Sequence, residues 1–202
     1  MDFIDILLLL LFISFLGVYL LKLILLKVRN KINANVLYKG NKESPVKRAE
    51  IFVKISSFLW MLTQLLEILF HKTISSYINP IFSNTHASYA AVVIMVLGVG
   101  IFTSATVFMK SSWRVGIDKN VKTKLIIDGV YSISRNPAFV GFDLMSISLF
   151  LAYPNLLTLL VLLVFPLSLH LLIVQEEKHL YSMFGEEYAS YSRKVPRYLL
   201  FL

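Results

Sequence analysis

Long apolar runs constrain the fold of this chain more than any other feature. Hydrophobic residues make up 57% of its 202 residues, against about 45–50% in soluble domains. A helix of about 20 apolar residues crosses the roughly 30 Å hydrocarbon core of a bilayer. The runs therefore predict an all-α integral membrane protein with about five transmembrane helices, at Ile4 to Leu26, Ile51 to Phe70, Ser88 to Met109, Phe142 to Ala152 and Leu156 to Val174.

The last two runs are predicted to form a helical hairpin, here residues 142–174. They are separated only by Tyr153, Pro154 and Asn155, which together are a turn signal. The first member is short for a full span. The run at the N-terminus is expected to be a membrane anchor and not a signal peptide, because it is too long, acidic residues precede it and no small-residue cleavage site follows.

Basic residues predict the orientation of these helices, since Lys and Arg are retained on the cytoplasmic side. They are concentrated between the first and second runs, between the third run and the hairpin, and in the C-terminal tail, whereas only Lys72 lies between the second and third runs. The net charge of +8 is thus assigned to cytoplasmic loops and not to a nucleic-acid surface. The prediction is an N-terminus outside and a C-terminus inside, in what the Lys, Ile and Asn content suggests is a bacterial inner membrane.

We expect a single membrane domain over residues 1–202, with three helices in 1–109 and a site-bearing region in 110–202. Neither a soluble second domain nor an internal repeat is evident. The absence of cysteine excludes disulfides and thiolate metal sites, and no cluster has metal-ligand spacing. A helix from Glu186 would place Tyr188, Tyr191 and Val195 on one face, as in an amphipathic element at the membrane surface.

A polar turn opens the hairpin and is the first candidate site. Pro137 favours the first turn of a helix and disfavours helix at Asn136. The amides of Ala138, Phe139 and Val140 are then expected to point out of a helix N-terminus, beside Arg135, where they would attract a carboxylate or phosphate. The alternative is that Arg135 anchors to lipid headgroups and Pro137 only starts a helix.

Adjacent carboxylates, Glu176 and Glu177, are predicted at the end of the last helix. There they oppose the helix dipole, so a bound cation is one expected partner and an ion pair with Lys178 or Arg135 is the alternative. Ionisable residues at membrane depth tend to face the bundle interior. Asp143 is the most interesting of these, while Glu67 and His71 are expected to pair with each other and His170 to be packed and hydrogen-bonded.

The order of two segments, "SSWRVGIDKNVKTKLIIDGVYSISRNPAFVG" and, after the hairpin, "QEEKHLYSMFGEEYASYSRKVPR", resembles the isoprenylcysteine carboxyl methyltransferase and phospholipid methyltransferase superfamily of membrane enzymes. The resemblance covers about half the chain, Ser111 to Arg197. It implies a cytosolic site for S-adenosylmethionine, with Tyr131 against the adenine, Arg135 near the cofactor carboxylate and Glu176 facing the ammonium or sulfonium cation. The implied contacts are Thr123, Lys124, Leu125, Ile126, Tyr131, Asn136, Pro137, Ala138, Phe139 and Glu176, with Gly98 and Gly100 matching a glycine pair of the phospholipid branch.

This chain departs from the resembled pattern at two positions. The family turn usually reads Arg-His-Pro, and Asn136 in place of histidine excludes a proton shuttle at that site. Prenylcysteine enzymes carry an arginine about one turn before the Glu-Glu pair, and here that position is Leu172. The donor half of the reaction is therefore better predicted than the acceptor half.

The sequence predicts a membrane methyltransferase that transfers a methyl group from S-adenosylmethionine to a lipid-like acceptor. Such a reaction needs alignment of two groups and exclusion of water. For an amine or hydroxyl acceptor, Asp143 or Glu177 is the expected proton acceptor, with Arg135 beside them. The alternatives are a phospholipid N-methyltransferase, an NADPH-dependent membrane sterol or enone reductase, and a non-enzymatic membrane subunit that tolerates loss of Glu176. Gly98 and Gly100 have a second interpretation, close helix packing.

Overall fold

Six α-helices organise the computed structural model, which describes residues 2–117 and 124–199. Within those ranges there is no strand, and the irregular segments contain two short 3-10 helices, Lys110–Ser112 and Gly129–Ser132. The helices are α1 (Phe3–Arg29), α2 (Ser44–Tyr77), α3 (Thr85–Phe108), α4 (Pro137–Ala152), α5 (Leu156–Phe184) and α6 (Glu186–Lys194).

The predicted membrane architecture is confirmed. Helices α1, α2, α3 and α5 are each long and apolar enough to cross a bilayer, and α4 is a shorter apolar helix. Helices α4 and α5 form the predicted hairpin around the turn at Tyr153 to Asn155, where the Asn155 side chain accepts a hydrogen bond from the amide of Thr158 (3.1 Å). The chain is a multi-pass integral membrane protein. We call the end of the bundle where α1 and α3 end and α2 and α4 begin the site end, and the opposite end the far end.

The predicted start of α4 is confirmed and the predicted end of α5 is wrong, and both concern the site. Helix α4 begins at Pro137, as the polar turn predicts, five residues before the apolar run at Phe142. Helix α5 continues to Phe184, ten residues past Val174. Glu176 and Glu177 therefore lie inside α5 and not at its C-terminus, because Leu180 and Phe184 bury apolar surface that extends the helix beyond the membrane run.

Helices α3 and α4 approach closely at a pair of glycines. A Cβ atom on Gly98 would lie 2.9 Å from the carbonyl oxygen of Gly141, and a Cβ on Gly141 would lie 2.8 Å from the carbonyl oxygen of Gly98. Small residues allow such close approach of membrane helices. Gly98 therefore serves helix packing, whereas a Cβ on Gly100 would have no neighbour within 4 Å.

Buried hydrogen bonds hold the far end together. The amide of Asn155 donates to Glu67 (2.7 Å), and the Tyr153 hydroxyl donates to Asp5 (2.9 Å). The predicted pairing of Glu67 with His71 is wrong, because Asn155 occupies Glu67 while His71 lies 3.6 Å from Asp5. His71 also joins Asp2 and Asp5 in a grouping, with ligand atoms within 4.8 Å of one another, that sequence spacing did not predict.

A fully buried ion pair organises the loops at the site end. Glu50 receives Lys42 Nζ at 2.7 Å and also accepts hydrogen bonds from the backbone amides of Tyr38 (2.7 Å) and Ile117 (3.0 Å). An isolated parallel bridge between Asn35 and Val115 runs beside it. The carboxylate thus fastens the loop after α1 to the segment after α3.

Helix α6 has the predicted face, but that face is turned toward the protein. Tyr188, Tyr191 and Val195 are buried and pack against Leu125, Leu180 and Phe184. The prediction that this face lies on the membrane surface is therefore wrong, because the extended end of α5 supplies the apolar partner. His170 is packed and hydrogen-bonded as predicted, with its Nδ1 2.7 Å from the Tyr198 hydroxyl.

Candidate active site

A cavity of about 250 Å³ opens at the site end and extends between the five apolar helices. Aromatic and aliphatic side chains line its depth. Its charged and polar lining residues, among them Lys124, Arg135, Asn136 and Glu176, lie toward the site end, which we call its rim. Predicted site residues from both halves of the site-bearing region line it together, which are Lys124, Leu125, Ile126, Tyr131, Arg135, Asn136, Ala138, Phe139 and Glu176. The structure therefore brings the segment before the hairpin, the start of α4 and the Glu-Glu pair to one place.

The two adjacent glutamates have different surroundings. Glu176 lines the cavity, and among the described residues its carboxylate has no ion-pair partner. Glu177 is held by Arg135 (3.1 Å) and by Arg197 (2.8 Å). An unpaired carboxylate at the rim of a half-buried cavity favours a cationic ligand, because removal from water disfavours an uncompensated charge.

Glu177 connects the hairpin to the C-terminal segment. Asn136 donates from its side-chain amide to Glu177 (3.2 Å) and to the carbonyl of Arg197 (3.1 Å). Arg197 donates to Glu177 from two nitrogens, at 3.0 and 2.8 Å, and this hydrogen bond raises the pKa of the already basic guanidinium. With both carboxylate oxygens occupied, Glu177 has the surroundings of a structural ion pair and not of a free proton acceptor.

Arg135 spans the cavity rim and α6. One guanidinium nitrogen contacts Glu177, and another donates to the carbonyl of Ser192 (2.8 Å). The backbone amide of Arg135 also donates to the carbonyl of Pro196 (2.9 Å). Arg135 is therefore bound to protein rather than to lipid headgroups, while it still lines the cavity.

The helix N-terminus at Asn136 is less open than predicted. Asn136 precedes Pro137, which begins α4. Its carbonyl accepts from the amides of Phe139 (3.0 Å) and Val140 (3.1 Å). The expectation that the amides of Ala138, Phe139 and Val140 all point outward is wrong for these last two, because the first turn already satisfies them.

Tyr131 forms part of the cavity wall from a 3-10 helix outside the membrane run. Its carbonyl accepts a hydrogen bond from the Tyr191 hydroxyl (2.6 Å), which fixes the segment against α6. Burial, and next the charge of Glu176, raise the pKa of the Tyr131 phenol well above its ordinary value. Burial likewise raises the pKa of Tyr191 to about 12. Both rings therefore face the cavity as neutral phenols at physiological pH.

Several predicted site residues do not line the cavity. Asp143 lies one turn into α4 and has a buried carboxylate oxygen without a hydrogen-bond partner in the described part of the chain. Thr123 lies outside the described residues. The other predicted site residues that do not line the cavity are Pro137, Glu177, Gly98 and Gly100. Gly98 packs against α4, and the space beside Gly100 is open.

Sequence reasoning missed part of the wall. Tyr188 and Tyr191 of α6 line the cavity, and their shared helical face was the available signal. Gly116 and Ile117 also line it, placed by the buried Glu50 carboxylate. Gly116 has φ +90, and a Cβ there would lie 2.8 Å from a Glu50 oxygen, so this position favours glycine. Contacts between such distant segments leave no local sequence pattern.

The fold and the cavity define the class of this protein. It is a helical multi-pass membrane protein with a ligand cavity that has polar residues at its rim and apolar residues in its depth. A family model described as phospholipid methyltransferase matches residues 87–187, half of the chain. The chain belongs to the phospholipid methyltransferase family. It is also 34% identical over 125 residues to a protein-S-isoprenylcysteine O-methyltransferase of Schizosaccharomyces pombe, covering 60% of this chain and 52% of that protein. The chain thus spans about half the length of this curated relative.

Proposed function

We propose that this protein is a membrane methyltransferase that uses S-adenosylmethionine to methylate a lipid-like acceptor entering from the bilayer. The observation that carries the proposal is the cavity. In it the carboxylate of Glu176, which has no ion-pair partner among the described residues, lies above an apolar interior, and Glu176 belongs to the segment that the family model matches. Such a cavity can bind a charged donor beside its polar residues and an apolar acceptor in its apolar interior.

The residues at the rim fit the methyl donor. Glu176 offers its carboxylate to the donor's ammonium or sulfonium cation, and Tyr131 offers a neutral ring to its adenine. Arg135 and Asn136 lie on the same rim, near where the donor carboxylate would bind. Bound S-adenosylmethionine supplies a methyl group already activated by a positively charged sulfur.

The protein's contribution is then to align the two reactants and exclude water. Helix α6, with Tyr188 and Tyr191, covers the rim and is held there by the contacts of Arg135. A carboxylate acceptor needs no general base. This suits a site in which both oxygens of Glu177 are occupied by arginines and Asp143 lies off the cavity wall. We therefore favour ester formation, as the name of the Schizosaccharomyces pombe relative also suggests.

Phospholipid N-methylation is the second candidate, and Leu172 is the observation that favours it. Leu172 is buried and lines the cavity at the position where resembled prenylcysteine enzymes carry arginine. An apolar residue there leaves an acceptor carboxylate without that charge partner.

Methyl transfer from a labelled donor to total membrane lipid tests the proposal. We expect the purified protein to produce labelled lipid. The stability of the label in mild base distinguishes the two acceptors, since the methyl group of a methyl ester is released and that of a methylamine is retained.

Calorimetric titration should show binding of S-adenosylhomocysteine and not of NADPH. Binding should be weaker in Tyr131→Ala and unchanged in Lys39→Ala, whose exposed side chain donates a hydrogen bond to the carbonyl of Asn35 in its own loop. Binding of NADPH alone would support the reductase alternative, and binding of neither would support a non-enzymatic subunit.

We further propose that the site end faces the cytoplasm of a bacterial inner membrane. The site end carries most of the basic residues, whereas at the far end Lys72 lies near the end of α2 and the connection 78–84 between α2 and α3 contains no Lys or Arg. The chain has no cysteine, so single cysteines report topology directly. In intact cells, a membrane-impermeant maleimide should label Ser83→Cys at the far end and leave Lys39→Cys unlabelled. The reverse pattern would contradict this orientation.

A further inference from the structure

Five aromatic rings meet at one depth in the bundle, and each comes from a different apolar helix. They are Phe15 of α1, Trp60 of α2, Phe102 of α3, Phe142 of α4 and Phe165 of α5. The Phe142 ring is central to the group, which we call the aromatic floor. Its centroid lies 5.6 Å from Phe15, 5.9 Å from Trp60, 5.1 Å from Phe102 and 5.8 Å from Phe165. Such separations are those of rings in direct contact.

The aromatic floor lies at the bottom of the cavity. Helices α1, α3 and α5 run toward the site end, so their lowest-numbered lining residue is the deepest, and these residues are Phe15, Phe102 and Phe165. Helices α2 and α4 run away from it, so their deepest lining residues have the highest numbers. On α4 this residue is Phe142, and on α2 Trp60 and its neighbour Met61 share that depth. All five helices therefore present a floor ring where the cavity ends.

Closely packed residues lie beneath the floor. Met145 and Leu149, which follow Phe142 along α4, have no exposed surface, and Leu8 and Met95 on α1 and α3 are equally buried. Interiors packed in this way yield little to an extra group. An apolar chain that enters the cavity therefore meets a stop and not a passage to the far end.

Helix geometry gives the depth of this stop. Six residues separate Asn136 from Phe142 along α4, and eleven separate Glu176 from Phe165 along α5, which at about 1.5 Å per residue gives roughly 9 and 16 Å. An extended chain advances about 1.2 Å per bond, because successive bonds are inclined to its axis, so this height holds roughly seven to thirteen carbon–carbon bonds. The reacting head of the acceptor must occupy the top of the same space.

We infer that the aromatic floor limits the length of the acceptor's apolar group and selects acceptors with a short or compact one, of geranyl size in preference to geranylgeranyl. This inference rests on the proposed function, because it concerns the acceptor side of the same cavity. Phe142 is the residue that sets the limit, since its ring touches the four others and is partly exposed to the cavity.

The test compares S-geranyl, S-farnesyl and S-geranylgeranyl derivatives of N-acetylcysteine on the purified protein. Two readouts are used, methyl transfer from labelled donor and the shift in thermal unfolding, the latter with and without S-adenosylhomocysteine. We expect the geranyl compound to be the best of the three with the wild-type chain. In Phe142→Ala the ratio of geranylgeranyl to geranyl should rise by about tenfold or more, because removing one ring lengthens the cavity.

Phe150→Ala is the matched control, since Phe150 is on the same helix but pairs with Phe82 at the far end (5.9 Å) and does not line the cavity. It should leave the ranking of lengths unchanged. Phe142→Leu, with a smaller loss of volume, serves if the alanine variant does not fold. Equal responses to all three lengths in both wild type and Phe142 variants, in both readouts, would overturn the inference. Failure to bind S-adenosylhomocysteine would instead overturn the proposed function, since the thermal shifts without it still report the length limit.

Discussion

Glu176→Gln is expected to weaken binding of S-adenosylmethionine by about tenfold to a hundredfold. Among the described residues, the Glu176 carboxylate has no ion-pair partner and faces the cavity, so a cationic ligand supplies its compensation. A hydrogen bond or contact that involves a charged group contributes about 1.5–3 kcal/mol, which corresponds to this range of affinity. Methyl transfer should fall at least as far at subsaturating donor, because the carboxamide keeps the shape of the side chain and loses its charge.

Calorimetry with two ligands shows which cation Glu176 faces. S-adenosylmethionine and S-adenosylhomocysteine both carry the ammonium group, but only the first carries a sulfonium. An equal loss of affinity for both assigns Glu176 to the ammonium, and a greater loss for S-adenosylmethionine assigns it to the sulfonium. Glu186→Gln is the control, because Glu186 is exposed on α6 and forms a surface pair with Arg193 (3.7 Å). Unchanged affinity of Glu176→Gln for both ligands would contradict the assignment.

Glu50→Ala is expected to reduce the free energy of unfolding by about 3–5 kcal/mol. The substitution leaves the buried ammonium of Lys42 without its carboxylate and the backbone amides of Tyr38 and Ile117 without their acceptor. The side chains of the pair are 4% and 0% exposed, so water screens the loss little. Removing one partner of a buried ion pair has this magnitude of effect, because the remaining charge is uncompensated.

Denaturant unfolding in mixed micelles, with S-adenosylhomocysteine binding measured in parallel, checks this result. Lys42→Met should be the milder substitution, since Glu50 keeps both amide donors. Lys72→Ala removes an exposed partner of Asp2 and should change stability little. Glu50→Ala should also weaken ligand binding, because Gly116 and Ile117 line the cavity. Wild-type stability of Glu50→Ala would show that this ion pair does not hold the two loops.

Patterns that repeat within one helix were predictable from the sequence. The five apolar runs correspond to α1 to α5, and the turn at Tyr153 to Asn155 joins the predicted hairpin. The buried face of α6 was also correctly predicted as Tyr188, Tyr191 and Val195, because residues three or four apart share a helix face. The partner of that face was not predicted, since it is formed where α5 continues beyond its apolar run.

The site was predictable where its residues are neighbours in the chain. Lys124 to Ile126, Tyr131 and Asn136 precede the hairpin within a short segment, and they do line one cavity. The ion pair of Lys42 with Glu50, the pairing of Gly98 with Gly141 and the contact of Arg197 with Glu177 join distant segments. A single sequence contains many charged and small residues, and it does not indicate which of them will contact one another in the folded protein.

The sequence by itself determined a multi-pass helical membrane protein, its hairpin and the neighbourhood of its site, because hydrophobic burial in a bilayer requires apolar helices of sufficient length. Tertiary structure decided the different roles of Glu176 and Glu177. Successive residues of a helix point about 100° apart, so one carboxylate faces the cavity while the other faces Arg135 and Arg197. The packing of α5 against α4 and the C-terminal segment decides which of the two glutamates faces the cavity. That packing cannot be predicted from the presence of two adjacent glutamates in the sequence.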